Sequence, residues 1–256
     1  MGTFEFLDLV DSFRIALRFM KLEGTQSLIT GASSGIGLAV AERFVQKGGK
    51  VHSFDTQDPL KKVDGITPHS VDIRDPEQVA RGMGDITGKL HLVFNNAGVL
   101  ARGGLFEISH DQFRQMLEVN ALGSWLTLKT ALDQDKVAEG ATIIQMCSTV
   151  GGPPGRRVSA PKVRPYSLSK QLAHEMIEAL RADRPDLRVK AIYPGAVKTP
   201  MTMAGFPSEI EYDRQALANW GVVSTADDIA DRIMLLLESD ADNLVWDSAR
   251  KEYVFE

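Results

Sequence analysis

Tyr166-Ser167-Leu168-Ser169-Lys170 sets a tyrosine and a lysine four residues apart. On a helix those two side chains share one face, with Cβ atoms roughly 5–6 Å apart. A free tyrosine, with a pKa of about 10, is a poor base at neutral pH. A neighbouring ammonium favours the tyrosinate, and each unit of downward shift corresponds to about 1.4 kcal/mol. A tyrosine tuned in this way can take a proton from a substrate hydroxyl. The same spacing also fits a plain exposed helix with a snorkelling lysine. Ser148 closes the apolar run Ala141–Met146 and lies upstream of the tyrosine segment. It could hold a substrate oxygen against Tyr166 as charge develops, or simply turn the chain. Asn120 is a poor helix former inside a helical stretch. It either bridges buried backbone groups or holds a water or backbone group in a proton relay. Cys147 has no histidine close in sequence to activate it and reads as buried filler.

A second constellation lies near the start. Ser27-Leu28-Ile29-Thr30 runs into Gly31-Ala32-Ser33-Ser34-Gly35-Ile36-Gly37, after which Ile36, Ala39, Val40 and Phe44 repeat with helical spacing. A strand, a glycine turn and a helix present backbone N–H groups to a phosphate. The first glycine permits the turn, the second the approach of a pyrophosphate, and the third close packing of helix on strand. The spacing Gly-x-x-x-Gly-x-Gly departs from the commoner Gly-x-Gly-x-x-Gly, and a Gly/Ser turn that binds nothing has the same look. Asp55 ends the next short strand, Lys50–Asp55, about 20 residues past the loop. An acid there accepts hydrogen bonds from the adenosine ribose hydroxyls and repels a 2′-phosphate. No arginine or lysine stands beside it or in the glycine loop, so NAD(H) is expected over NADP(H). A solvated acid at a strand end is the bland alternative.

These residues need a scaffold. From Ser27 the chain alternates apolar strands with helices. A short strand is expected to end at Val71-Asp72-Ile73. A helix follows with Asp75 as N-cap and Pro76 at its first position. Leu90–Phe94 leads into Asn95-Asn96-Ala97-Gly98, a helix is expected from about Asp111 to Leu132, and Ala141–Met146 leads to Ser148. Another helix is expected near Tyr166, then a strand Leu187–Ile192 ending in Tyr193-Pro194-Gly195. Alternation over this length predicts an α/β, Rossmann-like, doubly wound parallel sheet with helices on both faces. Ligands in such sheets sit at the carboxyl ends of the strands. Gly31, Asp55, Asp72, Asn96, Ser148 and Pro194-Gly195 all fall there.

The 256 residues carry a formal net charge of −5 and one cysteine. Mild acidity argues against nucleic acid as main partner. A single cysteine excludes an internal disulfide and suits a reducing compartment. No apolar run approaches the roughly 20 residues of a membrane span. The opening acids Glu5, Asp8 and Asp11 are wrong for a secretory signal. A cytoplasmic setting is expected. Residues 1–24 are predicted to form an amphipathic helical extension, with Phe6, Leu9, Val10, Phe13, Leu17 and Met20 on one face. It is expected to pack on its own domain or a sister subunit rather than on a membrane. Residues 25–256 are expected to form a single dinucleotide-binding catalytic domain.

Taken in order, Thr30-Gly31-Ala32-Ser33-Ser34-Gly35-Ile36-Gly37, Asn95-Asn96-Ala97-Gly98, Asn120, Ser148, Tyr166-x-x-x-Lys170 and Pro194-Gly195 resemble the short-chain dehydrogenase/reductase family. The resemblance covers about residues 26–200. It implies NAD(P)-dependent oxidation of an alcohol or reduction of a ketone, with no metal. It makes Tyr166 the acid/base and gives Lys170 the nicotinamide ribose and the tuning of Tyr166. Ser148 orients the substrate oxygen, and Asn120 supports a water relay. Cofactor contacts then fall on Gly31, Ser33, Ser34, Gly35, Ile36, Gly37, Asp55, Asn96, Ala97 and Gly98, with Asp72 and Ile73 at the adenine and Val197 and Thr199 at the carboxamide. The partners implied are a small alcohol or ketone and a second copy of the chain, as dimer or tetramer.

Three features depart from the family pattern. The interval from Ser148 to Tyr166 is long and carries Arg156, Arg157, Lys162 and Arg164; near the substrate mouth it would suit an anionic substrate, and otherwise it is a solvated loop. The C-terminus lacks the usual Asp-Gly-Gly turn, and Tyr253-Val254-Phe255 is expected to complete a hairpin, altering the family's tetramer contact. The N-terminal helix is additional. The substrate-covering segment falls at about 200–220, where Met201, Met203 and Phe206 either line a partly apolar pocket or belong to the core. The rival reading is a non-catalytic NAD(H)-binding regulator or scaffold of the same fold. An epimerase or dehydratase holding NAD would be expected to have a larger C-terminal substrate domain.

Overall fold

The computed structural model describes residues 22–153 and 155–256; the predicted N-terminal helix therefore lies almost wholly outside the described residues. The elements in chain order are β1 (Gln26–Thr30), α1 (Gly35–Gln46), β2 (Lys50–Asp55), β3 (Ile66–Ser70), α2 (Pro76–Asp85), β4 (Leu90–Asn95) and α3 (His110–Leu117). A π turn (Glu118–Gly123) joins α3 to α4 (Ser124–Asp133), and β5 (Val137–Met146) leads to a 3₁₀ turn (Thr149–Gly151). Then come α5 (Arg164–Asp183), β6 (Arg188–Tyr193), β7 (Val197–Lys198), α6 (Pro200–Met203), α7 (Glu209–Trp220), β8 (Ser224–Thr225), α8 (Ala226–Leu237), β9 (Asn243–Asp247) and β10 (Glu252–Phe255).

The main sheet has eight strands in the order β10-β9-β6-β5-β4-β1-β2-β3. Every pairing is parallel except β9 with β10. The central strands β1, β4 and β6 and the second half of β5 are almost wholly buried because both faces are covered. Successive residues feed opposite cores. Ile29, Leu92, Phe94 and Ile144 pack with Val40 and Phe44 of α1 and Ile233 of α8. Leu28, Val93 and Ile143 pack with Val79 and Met83 of α2, Leu128 of α4 and Ile177 of α5. The chain runs outward from β1 to β3 and returns to place β4 on the other side of β1. That reversal opens a crevice at the carboxyl ends of β1 and β4, where such sheets bind ligands.

Local expectations hold with adjustments. Asp75 caps α2, accepting from the N–H groups of Glu77 and Gln78 at 2.9 and 3.1 Å, with Pro76 at the first helical position. The strand expected to end at Ile73 ends instead at Ser70, which leaves Val71, Asp72 and Ile73 in the connecting loop. The single helix expected over 111–132 is α3 and α4 joined by the π turn that contains Asn120.

The C-terminal hairpin forms, with Tyr253 opposite Trp246. Trp246 is buried, stacks edge-on to Tyr253 at 5.1 Å, and lies directly under Gly195, where a Cβ would come within 2.8 Å of the indole ring. This hairpin therefore props the end of β6. Trp246→Ala is expected to cost about 3–5 kcal/mol in urea unfolding by loss of the buried ring. The Nε1 of Trp246 is buried with no acceptor among the described residues. Trp246→Phe, which drops that donor and keeps most of the ring volume, is expected to stay within about 1.5 kcal/mol of the parent.

Candidate active site

The ends of β1 and β4 are stitched together by Thr30 and Asn96. The Thr30 hydroxyl accepts from the N–H groups of Asn96 and Ala97, both at 3.0 Å. The Asn96 amide donates to the carbonyls of Thr30 and Gly31 at 3.0 and 3.1 Å. Helix α1 starts hard against this stitch. A Cβ at Gly37 would lie 2.2 Å from the Gly31 oxygen and 2.5 Å from Asn96 Nδ2, so only glycine fits. The result is a bare backbone cradle at a helix N-terminus, the geometry that holds a pyrophosphate.

A cavity of about 580 Å³ opens over the cradle. Gly31, Ser34, Gly35 and Ile36 form its floor. Asp55, Asp72 and Ile73 form one end, Asn96, Ala97 and Gly98 the middle, and Ser148, Tyr166, Lys170, Pro194, Gly195, Val197 and Thr199 the other end. Of the residues assigned from sequence, Ser33, Gly37 and Asn120 do not reach its wall. Gly37 acts through the packing just described. Ser33 is buried, and its N–H is already spent on Asp55 Oδ2 at 3.0 Å. That bond, with Gln57 N–H on Oδ1 at 3.1 Å, fixes the Asp55 carboxylate at the edge of the cavity.

Asn120 is wholly buried and works one layer behind the wall. Its Oδ1 accepts from Val99 N–H at 2.8 Å, and its Nδ2 donates to Val99 O at 3.0 Å and to Ser169 Oγ at 2.9 Å. It thus clamps the loop after β4 to α5, one residue before Lys170. π turns of this kind often mark functional sites.

Tyr166 and Lys170 lie one turn apart on α5, with Lys170 Nζ 5.9 Å from the centre of the Tyr166 ring. Ser148 stands beside the Tyr166 hydroxyl on the same cavity wall. Lys170 is buried and donates to Met146 O at 2.8 Å. The expected lowering of the tyrosine pKa by this lysine is not what the protein alone displays. Burial pushes the Tyr166 phenol above its ordinary value, and Ser148 only partly opposes this. The same burial pushes Lys170 down to about 8. At neutral pH Tyr166 therefore holds its proton. Burial also pushes the Cys147 thiol up to about 12, which keeps it inert, as expected of filler.

The sequence reading missed several residues. Gly151 lets the 3₁₀ turn touch α5: a Cβ there would lie 2.6 Å from Lys170 Cβ. Ser169 bridges Asn120 to Tyr166 O, to which its hydroxyl donates at 2.8 Å. Arg74 also lines the cavity, although no basic residue near Asp55 was expected. It is held by Asp72, with Nε at 3.0 and 3.1 Å and Nη2 at 2.5 Å from the carboxylate oxygens. Its place directly after Asp72-Ile73 was the available signal. The basic loop pairs through Lys162 O with Gly103 N–H at 2.7 Å, and Arg156 and Arg157 are turned to other partners. Arg156 is paired with Glu256 and Asp247 of the C-terminal hairpin, Arg157 donates to Gly152 O at 2.6 Å, and none of Arg156, Arg157, Lys162 and Arg164 lines the cavity. In the 200–220 segment Met201 reaches the wall, whereas Met203 and Phe206 do not.

The family model for short chain dehydrogenases matches residues 26–209. The chain belongs to this family. A Thermotoga maritima protein named as an uncharacterized oxidoreductase is 31% identical over 197 residues, covering 72% of this chain and 76% of its own length. A short chain dehydrogenase from Burkholderia cenocepacia, solved with NADP, has a TM-score of 0.72 at 26% identity and covers 88% of each chain. A 3-ketoacyl-(acyl-carrier-protein) reductase from Brucella melitensis, complexed with NADH, shares the fold with a TM-score of 0.71 at 24% identity, covering 84% of this chain and 91% of its own. As a short-chain dehydrogenase, this oxidoreductase has a glycine cradle that fits the family's nicotinamide dinucleotide. Among its described residues no helix is long and apolar enough to cross a membrane.

One outcome follows from Gly151. Gly151→Ala must displace Lys170 or the turn that carries Ser148. With misplacements near 1 Å costing on the order of 100-fold, turnover is expected to fall by about that factor. Circular dichroism should show the fold retained, and steady-state kinetics against the parent would check the loss.

Proposed function

We propose that this short-chain dehydrogenase interconverts a secondary alcohol and a ketone with NAD(H), using Tyr166 as acid/base. The observation that carries the reading is the convergence of Ser148, Tyr166 and Lys170 on the wall of a cavity whose floor is the glycine cradle. The bound dinucleotide supplies or accepts the hydride. In the reductive direction a substrate carbonyl oxygen seated between Ser148 and Tyr166 receives the Tyr166 proton. Ser148 donates to the same oxygen as its charge grows. Lys170, fixed by Met146 O, favours the tyrosinate that remains. Asn120 keeps Val99 and α5 in register, so the oxygen-binding groups stay aligned. Val99, Leu100, Met201 and Ala204 on the same wall suit a partly apolar ketone. A non-catalytic binder would have no use for this fully assembled proton donor.

The NAD(H) preference rests on Asp55. Its carboxylate is pinned by two backbone N–H groups at the cavity edge, where it would accept ribose hydroxyls and repel a phosphate. Arg74 is the cation closest in kind to a phosphate ligand, and its guanidinium is already engaged by Asp72.

Tyr166→Phe is expected to abolish NADH-dependent ketone reduction while leaving NADH binding by fluorescence intact; residual turnover near the parental rate would contradict the role. Because burial keeps Tyr166 protonated and Lys170 loses its proton near pH 8, reduction should hold through neutral pH and decline above about 8. Alcohol oxidation, which needs the tyrosinate, should have its optimum at higher pH than reduction. Asp55→Ala is expected to shift the NADPH/NADH ratio of kcat/KM toward NADPH by about tenfold, the size of one lost charge-assisted contact. An unchanged ratio would remove Asp55 as the selectivity residue.

A further inference from the structure

Between β7 and β8 the chain makes a long excursion, residues 199–223, that covers one end of the cavity. Thr199, Pro200, Met201, Thr202 and Ala204 of this excursion line the wall. Its bonds are partly internal and partly to β7. Thr199 and Thr202 cap α6 reciprocally, and Tyr212 donates to Val197 O at 2.9 Å. Lys198 pairs with Glu209 and Asp213 at 2.5 and 2.9 Å. These contacts anchor α7 to β7 and do not involve the tip at 203–206.

Thr202 Oγ1 donates locally to Val197 O of β7 at 2.6 Å, and the hydrogen bond that ties the stretch 200–206 across to the loop after β4 comes from Arg102. This residue lies in the loop after β4, just beyond Val99 and Leu100 of the cavity wall. Its Nη2 donates to Thr202 O at 2.8 Å. Its guanidinium carbon sits 4.4 Å from the centre of the Phe206 ring, and Phe206 stacks edge-on to Tyr212 at 5.1 Å. The side chain lies flat across the backbone at Gly205, where a Cβ would come within 2.6 Å of Nε. No carboxylate of the described residues pairs with Arg102 in an ion pair, unlike Arg74, Arg156 or Lys198. Arg102 thus adds one hydrogen bond and one cation–ring contact to the local bond that Thr202 makes to β7.

We propose that Arg102 is a positioning residue that straps the 200–206 segment over the cavity and sets how fast cofactor and substrate enter and leave. The planar guanidinium is required because it donates to Thr202 and stacks on Phe206 at once. Loss of the strap leaves Ser148, Tyr166 and Lys170 in place, since none of them contacts the segment through Arg102. The kinetic part rests on the reading under Proposed function, whereas the structural part does not.

The test compares Arg102→Leu, Arg102→Lys and Gly205→Ala with the parent. The last attacks the strap from its other side, because the added methyl displaces the arginine. Stopped-flow fluorescence reads NADH release, steady-state kinetics read KM and kcat, and hydrogen exchange reads the amides of residues 200–206. Arg102→Leu and Gly205→Ala are expected to speed NADH release and raise KM by about tenfold, the scale of one charge-assisted hydrogen bond. kcat should be kept or raised, and exchange should quicken at 200–206 alone. Arg102→Lys, with the charge but not the plane, should recover only part of this. Unchanged release and unchanged exchange in both Arg102→Leu and Gly205→Ala would overturn the proposal. A fall in kcat together with exchange spread over the whole domain would also overturn it, as a general loss of fold. If the parent protein binds no NADH, the Proposed function fails instead, and exchange at 200–206 alone decides the strap.

Discussion

The contact on which the rest depends is the stitch between the ends of β1 and β4. Two adjacent parallel strands diverge where the chain order reverses, and the backbone groups freed there need partners. Thr30 and Asn96 supply them across the gap, so the crevice stays open without leaving buried amides and carbonyls unpaired. Gly37 then lets α1 start against that stitch. Its N-terminal N–H groups face the space that the divergence created. Cradle and crevice are one feature, and removing either the Asn96 amide or the bare α-carbon of Gly37 closes it.

The second constraint is electrostatic. Lys170 and Tyr166 sit on a helix face packed against the turn after β5, and that packing strips water from both. In isolation this opposes catalysis: burial holds the tyrosine proton and loosens the lysine proton. The conflict resolves if the site is matched to the charge of a reacting complex rather than to the resting protein. A buried ammonium gains most when an anion forms beside it in low dielectric, and in the proposed reaction that anion is the tyrosinate. In that reaction Ser148 beside the substrate oxygen and Lys170 on Met146 O would need no rearrangement when the charge appears.

What the sequence made legible follows from where information is local. The glycine cradle, the cap at Asp75 and the four-residue step from Tyr166 to Lys170 are written in neighbouring positions, and the structure keeps each. The C-terminal hairpin was readable for the same reason. Strand and helix limits were less so: β3 stops short of Asp72, and the π turn at Asn120 replaces an unbroken helix, because both are set by what packs across the chain. Which of its two readings the basic loop takes was set on similar grounds. Arg156 is drawn to Asp247 and Glu256, partners about a hundred residues away that no local pattern announces. Gly151 and Ser169 carry no motif at all. Their importance lies in a Cβ that would collide with Lys170 and in a hydroxyl that meets Asn120.

The contacts that surround the reacting groups share a logic. The C-terminal hairpin supports the cavity from beneath, through Trp246 under Gly195, while its acids tether the long loop after β5 through Arg156. Arg102 acts from above on the segment that completes the wall. None of these residues touches the proton path, and each sets the position of something that does or that covers it. An enzyme of this architecture can keep its reacting groups constant while its substrate range changes, because shape and access are controlled by separate, nearly independent contacts. The cradle is held by the Thr30 and Asn96 bonds across the ends of β1 and β4. The strap rests on one cation and an aromatic ring, so substitutions there can alter access without first destabilising the fold.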